Sequence, residues 1–473
     1  MPGMSVSSLV LMLLMLAVGG WGVVISRRWP ALAVFGYLAA LMFVPAWVML
    51  PLGQLPRMAL LIVLGLGLVA GLFGLDAVRP VIFDVVLLTF VAAIIVVGIV
   101  GLVTANTMYQ MIMWWTLPYL VGRTLAARTS VALVYDTVAV LIGVVALLAI
   151  FEAATNHNYF VEWFASGSHW ERLQYRGGRV RVEGAFGHSI ALGAVLGMSV
   201  PMVWASRWRA WFRVVVLAAI GVAAMLTYSR IGMLTTMLAL AASFVLLRKA
   251  MPARVRWTIL GAGGVVAAVL VPTVIRVFDD GAAEAGKSAD YRVFLLSLVP
   301  KLAVFGQATS PDVSIASVDN EFVLSGIRLG LLPLVVLLVF AAVGVVVAIR
   351  RPNPGLIAMV AVLPGLTSVA FITQFTAFFW FSVGLGVSHL AARAPALHPP
   401  AAGDRGPDDG DGPGDGPHGC DDEPGLYEPA LQPEDDWPGP LAGDDEDFDD
   451  DGWQQYEPDQ WVRGIPQVGE PYG

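Results

Sequence analysis

Arginine is concentrated in one short stretch that also contains a carboxylate and an imidazole. Four arginines fall within ten residues: Arg172, Arg176, Arg179 and Arg181. Glu183 and His188 follow them. A guanidinium can hold two phosphate oxygens at once, and a neighbouring carboxylate or imidazole can transfer a proton. The stretch therefore predicts a site that neutralises phosphate charge. A solvated basic loop or a contact with lipid headgroups would have a similar composition.

Two further arginines stand in comparable settings. Arg230 follows Thr227-Tyr-Ser between two apolar segments that are too close together to leave a loop, so we expect it at membrane depth. Snorkelling to the headgroups is the alternative for an arginine near a helix end. Arg292 follows Asp290 and Tyr291 at the start of an apolar stretch, where a local ion pair is the alternative.

A polar cluster precedes another apolar segment. Asp319, Asn320 and Glu321 come just before it, and Arg328 lies two helical turns further on. Helix capping explains such residues, and a carboxylate for chemistry is compatible with it. Attack by a hydroxyl benefits from a base within hydrogen-bond reach, for which the candidates are Glu183, His188 and Asp319. The sequence does not rank these three residues.

The sequence contains no familiar motif for a metal or a nucleotide. His157 and His169 lack metal-ligand spacing and are interpreted as surface residues, and Cys420 is the single cysteine. Glycine-rich phosphate loops of the nucleotide-binding type are missing. We therefore expect no metal and no cofactor, and no nucleic acid among the partners.

The elements that must position these residues are membrane helices. Hydrophobic residues make up 57% of the chain, charged residues only 14%, and the mean hydropathy is +0.73, which excludes an ordinary soluble protein. We count 13 apolar segments of about the roughly 20 residues that a span needs. They begin near Val6, Ala31, Met58, Val81, Tyr109, Val131, Phe186, Phe212, Ile231, Trp257, Phe322, Gly355 and Thr376. The predicted fold is an all-α polytopic membrane protein with 12 or 13 transmembrane helices.

Positive charge predicts the orientation of these helices. Lysine and arginine gather in the cytoplasmic loops of membrane proteins. Here they gather on one side, at residues 27–28, at Arg123 and Arg128, and at residues 207–213, 248–256 and 350–351. This orientation predicts two long loops on the extracytoplasmic side, residues 152–185 and 278–321. Within the second loop, residues 291–306 are expected to form an interfacial or re-entrant helix that roofs the site.

The last part of the chain differs sharply in charge. Residues 394–473 contain 22 of the 36 acidic residues and two basic ones, whereas residues 1–393 carry 14 acidic and 26 basic residues, a net charge of +12. We predict a membrane domain over residues 1–393 and a disordered cytoplasmic tail rich in Asp, Gly and Pro over residues 394–473. Its spaced aromatic residues among acids could dock a basic cytoplasmic partner.

The order of these pieces resembles the O-antigen ligase and polymerase superfamily of bacterial membrane glycosyltransferases. The likeness rests on residues 181–189, residues 226–230, Arg292, and residues 318–322 followed by Gly330, and it covers roughly residues 109–392. The resemblance implies an enzyme that passes a glycan from a polyprenyl diphosphate carrier to the hydroxyl of an acceptor glycan or lipid. It implies no nucleotide, and it suggests Arg176, Arg181, Arg230 and Arg292 as diphosphate ligands.

One departure affects the acceptor that we expect. Ligases of this superfamily usually carry histidine before the asparagine of the last motif, whereas Asp319 precedes Asn320 here. Polymerisation of a surface polysaccharide, or transfer to another acceptor, is therefore favoured over ligation to a lipid core. The alternatives are a ligase that passes the glycan to a lipid or protein acceptor, and a transporter or flippase for a lipid-linked glycan. A transporter would be expected to have its ionisable residues at mid-membrane. A scaffold role for the tail is compatible with any of these.

Overall fold

A computed structural model describes residues 6–45, 47, 59–72, 80–163, 173–176, 178–280, 291, 293–308 and 318–392. Helix makes up 81% of the described chain, and two short strands form one hairpin. The predicted all-α class is confirmed at this level. The predicted tail at residues 394–473, Arg292, His169 and parts of both long loops lie outside the described residues.

The described helices follow one another with short connections. In the first half they are α1 (Val6–Arg28), α2 (Pro30–Phe43), α3 (Ala59–Leu72), α4 (Ile82–Ile99), α5 (Ala105–Gln110), a π-helix (Met111–Thr116), α6 (Leu117–Arg128), α7 (Val131–Thr155) and α8 (Tyr159–Trp163). The hairpin strands β1 (Gln174–Arg176) and β2 (Arg179–Arg181) come next. The later helices are α9 (Ser189–Ala205), α10 (Ala210–Leu226), α11 (Arg230–Leu246), α12 (Ala253–Asp280), α13 (Glu321–Leu329), α14 (Leu331–Arg350), α15 (Pro354–Leu366) and α16 (Thr373–Ala392).

Five described helices are long and apolar enough to cross a membrane: α4, α7, α12, α14 and α16. Helices α2, α9, α10, α11 and α15 are shorter but equally apolar. The protein is therefore treated as an α-helical membrane protein. A helix begins within four residues of each of the 13 predicted starts, although the number of spans and their orientation remain predictions.

Two of the predicted segments are interrupted rather than continuous. The segment near Tyr109 consists of α5, the π-helix and α6, and Thr116 donates its hydroxyl to the carbonyl of Met111, 3.2 Å away. The segment near Phe322 breaks at Gly330, which separates α13 from α14 and has a φ of +96°. A side chain at Gly330 would collide with the backbone of Val304, 2.8 Å from the Cβ position. Glycine is thus required by both its backbone conformation and its neighbours.

Helix α9 forms the centre of the bundle. All but two of its residues are buried, and it contacts α7, α10, α11, α15 and α16. Its closest neighbour is α11, because a Cβ atom on Gly193 would lie only 2.8 Å from the Cα atom of Gly232. Helices with small residues at their interface can approach this closely. The N-termini of α9 and α11 are therefore held side by side.

A buried ion pair ties α4 to α6. Arg123 is 2% exposed and donates to both carboxylate oxygens of Asp84, at 2.8 and 2.6 Å. The hydroxyl of Tyr119 also donates to Asp84, and Arg123 reaches Ser388 in α16. Arg123, one of the residues that predict the orientation, thus lies within a helix and not in a loop. The carboxylate of Asp84 holds it inside the bundle, while Arg128 is exposed.

The predicted helix over residues 291–306 is correct only in its first part. Residues 293–297 are helical, a single 3-10 turn covers Val299–Lys301, and the chain then runs irregularly. The segment packs Leu295 and Leu298 against Val323 and Ile327 of α13. Its end is bonded to the same helix, since the amide of Ala308 donates to the carbonyl of Ile327 at 2.9 Å. Pro300 cannot continue an α-helix, and Gly306 has a φ of +81°, which explains why no longer helix forms.

Candidate functional site

The β1–β2 hairpin places four polar side chains on one of its faces. Gln174 pairs with Arg181, and Arg176 pairs with Arg179. Residues directly opposite each other in an antiparallel pair point to the same side, and so do residues two apart on one strand. All four side chains therefore share a face, while Tyr175 and Val180 share the other. The alternating order of arginines and apolar residues in the sequence produces this arrangement.

This hairpin is attached to the turn between α10 and α11. Arg176 donates through Nη1 to the carbonyl of Tyr228 at 2.9 Å, and Arg181 donates through Nε to the carbonyl of Thr227 at 3.1 Å. Tyr228 has a φ of +46°, which turns the chain sharply before α11. Ser229 caps α11 by accepting from the amide of Gly232. Arg230, the first residue of α11, is exposed next to this clamped turn.

Below the hairpin, two carboxyl groups from different elements approach each other. Glu152, near the end of α7, accepts from the amides of Glu183 and Gly184 at 3.1 and 2.9 Å. Asn158 donates to Glu152 at 3.2 Å and to the carbonyl of Gly184 at 3.1 Å. Glu152 and Asn158 together fix the backbone that follows β2. This contact determines where the side chain of Glu183 lies.

Glu183 is the most unusual residue of the site. It is 0% exposed, and neither of its carboxyl oxygens has a hydrogen-bond partner within the described parts of the chain. Burial, and next the negative charge of Glu152, raise the pKa of Glu183 to about 9, although Arg181 opposes the shift. Desolvation disfavours the charged form of a carboxyl group. Glu183 is therefore a neutral acid at pH 7.

His188 is neutral as well, for a related reason. Burial, and next the positive charge of Arg181, lower the pKa of His188 to about 4. Its Nδ1 atom accepts from the amide of Ile190 at 3.1 Å and so caps α9. An acceptor at Nδ1 requires the proton of the neutral ring to be on Nε2. His188 thus acts as a donor through Nε2.

The Asp319 cluster forms a second part of the candidate site. Asn320 caps α13 by accepting from the amide of Val323, as the sequence predicted. Buried Glu321 accepts from the amide of Phe371 at 2.7 Å, and burial raises its pKa to about 7. Asp319 is exposed. The pKa of Tyr291 is raised, first by burial and second by the negative charge of Asp319.

A glutamine at the start of α16 connects the two parts. Gln374 is fully buried and donates to the carbonyl of Ala185 at 3.0 Å, two residues beyond Glu183. It also donates to the carbonyl of Val44 at 2.8 Å. The loop before it contains Phe371, whose amide binds Glu321. The chain entering α16 thus joins the arginine cluster to the Asp319 cluster.

Five of the seven predicted site residues come together in the structure: Arg176, Arg181, Glu183, His188 and Arg230. Asp319 lies in the second cluster, and Arg292 lies outside the described residues. Of the two histidines interpreted as surface residues, His157 is exposed and paired with Glu162 at 2.8 Å. Among the described residues, no three His, Cys, Asp or Glu side chains are grouped to hold a metal ion.

Sequence reasoning did not identify the residues that support the site: Glu152, Asn158 and Gln374. Glu152 carries the one useful signal, since it is an acidic residue inside an apolar segment of 25 residues. Ionisable residues in such segments are rare and are usually paired. Asn158 and Gln374 have no local pattern that would single them out.

Comparisons of the chain with protein-family models, with curated proteins and with solved structures found no match.

Proposed function

We propose that this protein transfers a glycan from a polyprenyl diphosphate carrier to an acceptor hydroxyl, as the polymerase of a surface polysaccharide. The observation that carries the proposal is the convergence of Arg176 and Arg181 on the turn that presents Arg230. Transfer of the glycan breaks the bond between the sugar carbon and the diphosphate oxygen, and the electron pair of that bond leaves with the polyprenyl diphosphate, which gains one negative charge. Preorganised arginines stabilise such a leaving group without a nucleotide.

The neutral state of Glu183 supports this role for Arg181. An ionised carboxylate beside Arg181 would compete with a diphosphate for the guanidinium, because opposite charges attract strongly in a buried site. With Glu183 protonated, the positive charge of Arg181 is directed to the ligand. In this proposal Glu183 is a positioning residue and not the base.

The remaining candidates, His188 and Asp319, have different roles in the proposed reaction. His188 carries its proton on Nε2, so it donates a hydrogen bond to an oxygen of the substrate. Asp319 is exposed and offers a carboxylate, which accepts the proton of the acceptor hydroxyl as that oxygen attacks the sugar carbon. The substrate thus lies between the hairpin and the start of α13, which Gln374 connects.

The test uses purified full-length protein in vesicles and a polyprenyl diphosphate oligosaccharide. A ladder of products supports polymerisation, while a single product of one transfer indicates a ligase. Translocation of the intact substrate without any transfer favours the transporter and contradicts the proposal. Variants Arg230→Gln and Asp319→Asn should each reduce transfer by roughly a hundredfold, the effect expected for loss of one charge-stabilising or proton-transferring group.

Arg254→Gln is the matched control, because Arg254 is an exposed arginine at the start of α12. It should retain full activity. Equal activity in Arg230→Gln and in the control, at equal amounts of folded protein, would contradict the role of the arginine cluster.

A further inference from the structure

A second arginine-containing cleft lies at the other end of the bundle. It has a volume of about 710 Å³ and lies between the α1–α2 turn and the α6–α7 turn. Its walls include Arg28, Trp29, Leu32, Arg128, Ser130 and Leu133. Helix α7 begins at this cleft, and Glu152 lies near its other end. The 21 residue steps from Val131 to Glu152 correspond to about 32 Å of helix. The cleft is thus separate from the candidate site.

The rim of the cleft has the chemistry of an anion site. Arg28 and Arg128 come from turns 100 residues apart and are both exposed. The Arg28 guanidinium lies 5.3 Å from the centre of the Trp29 ring. Ser130 accepts from the amide of Leu133 through its oxygen, so its hydroxyl hydrogen can donate to an anion. Two arginine forks and a hydroxyl are typical phosphate ligands.

Apolar side chains also line the cleft. Leu32 lies on α2 and Leu133 on α7, and these two helices pack together. Trp29 is 53% exposed, as is usual for a tryptophan at a membrane interface. A ligand that fits both the rim and the walls must have a phosphate joined to hydrocarbon. Free phosphate would use the rim alone.

We propose that this cleft binds the headgroup of an anionic phospholipid, with the phosphate held by Arg28 and Arg128. The acyl chains run along Leu32 and Leu133 into the membrane. This assignment rests on the membrane nature of the chain and on the geometry of the cleft, and it does not depend on the proposed glycosyl transfer.

The experiment measures lipid binding to the full-length protein in detergent by native mass spectrometry. Phosphatidylglycerol should bind more tightly than phosphatidylcholine, which has a phosphate but no net charge. Each arginine near a membrane surface contributes roughly fivefold to the binding of an anionic lipid. Arg28→Gln and Arg128→Gln should therefore each weaken phosphatidylglycerol binding by about fivefold, and the double variant by roughly thirtyfold.

Arg350→Gln is the matched control, because Arg350 is exposed at the end of α14 and does not line the cleft. It should bind phosphatidylglycerol like the unmodified protein. Equal affinities of the double variant and this control, with equal thermal midpoints, would overturn the proposal. Inorganic phosphate that competes with the lipid at equal concentration would also overturn it, since it would show a site for the free anion.

Discussion

Replacing Glu183 with glutamine tests the central electrostatic argument. The amide has the shape of a carboxylic acid but is neutral at every pH. In the unmodified protein, burial, and next the charge of Glu152, raise the pKa of Glu183 to about 9, from a value of 4.5 for an exposed side chain. Glutamine should therefore mimic the folded state at pH 7 and remove the titration.

The size of the effect follows from the two pKa values of Glu183. Between pH 4.5 and about 9 the group is protonated in the folded protein and ionised in the unfolded chain. Folding then takes up a proton, so stability falls as the pH rises, by about 1.4 kcal/mol per pH unit. The contribution is complete below pH 4.5 and lost above about 9. Between pH 6 and pH 8 it changes by about 3 kcal/mol.

The assay compares the free energy of unfolding of the unmodified protein and Glu183→Gln at pH 6, 7 and 8, in detergent. The difference between the two curves reports the titration of Glu183 together with its electrostatic coupling to Glu152, because all other titrating groups are shared. Glutamine should be the more stable variant at pH 8. Asp279→Asn is the matched control, since Asp279 is exposed near the end of α12. Its curve should follow that of the unmodified protein.

Parallel curves for Glu183→Gln and the unmodified protein would refute the reasoning. They would show that Glu183 has similar pKa values in the folded and unfolded states. A constant loss of stability in the variant would likewise contradict a neutral acid, because it would show that the glutamate makes a bond that an amide cannot.

The remaining predictions concern buried charges that hold elements together. Arg123→Ala should lower the free energy of unfolding by about 3–5 kcal/mol, because it leaves the carboxylate of Asp84 buried without its partner; the measurement is a denaturant curve, and an unchanged midpoint would contradict it. Glu152→Ala should lower stability by about 2–6 kcal/mol, since it removes the acceptor of the Glu183 and Gly184 amides. Glu152→Gln keeps one acceptor oxygen and should lose less, which a thermal scan of the three proteins would show.

The helices were predictable from the sequence because the membrane imposes a strong and local rule. In a membrane, the backbone N–H and C=O groups of an apolar segment must form their hydrogen bonds within the segment, so its composition alone predicts a helix. The break at Gly330 was not predictable, because it depends on the contact of that glycine with the backbone of Val304, 26 residues earlier. The buried position of Arg123 was missed for the same kind of reason, since its partner Asp84 is 39 residues away.

The candidate site likewise has features that the sequence predicts and features that it does not. The arginines were identified from the sequence by their local density. The approach of Arg181 to the turn before Arg230 was not predictable, because the hydrogen bond from Arg181 to Thr227 joins residues 46 apart. The neutral state of Glu183 could not be read from the sequence, because it arises from burial and from Glu152 in another element. Gln374 illustrates the limit, because its partner Ala185 is 189 residues away.

The π-helix at Met111–Thr116 has a consequence for the rotational setting of α6. A widened turn accommodates an extra residue, and each residue of an α-helix advances the rotation by about 100°. If the same residues closed as a regular α-helix, the extra residue would rotate everything beyond it by about 100°. Arg123 would then face away from Asp84. The wide turn thus keeps Arg123 in register with Asp84, and deleting the extra residue would close the turn without separating the ion pair.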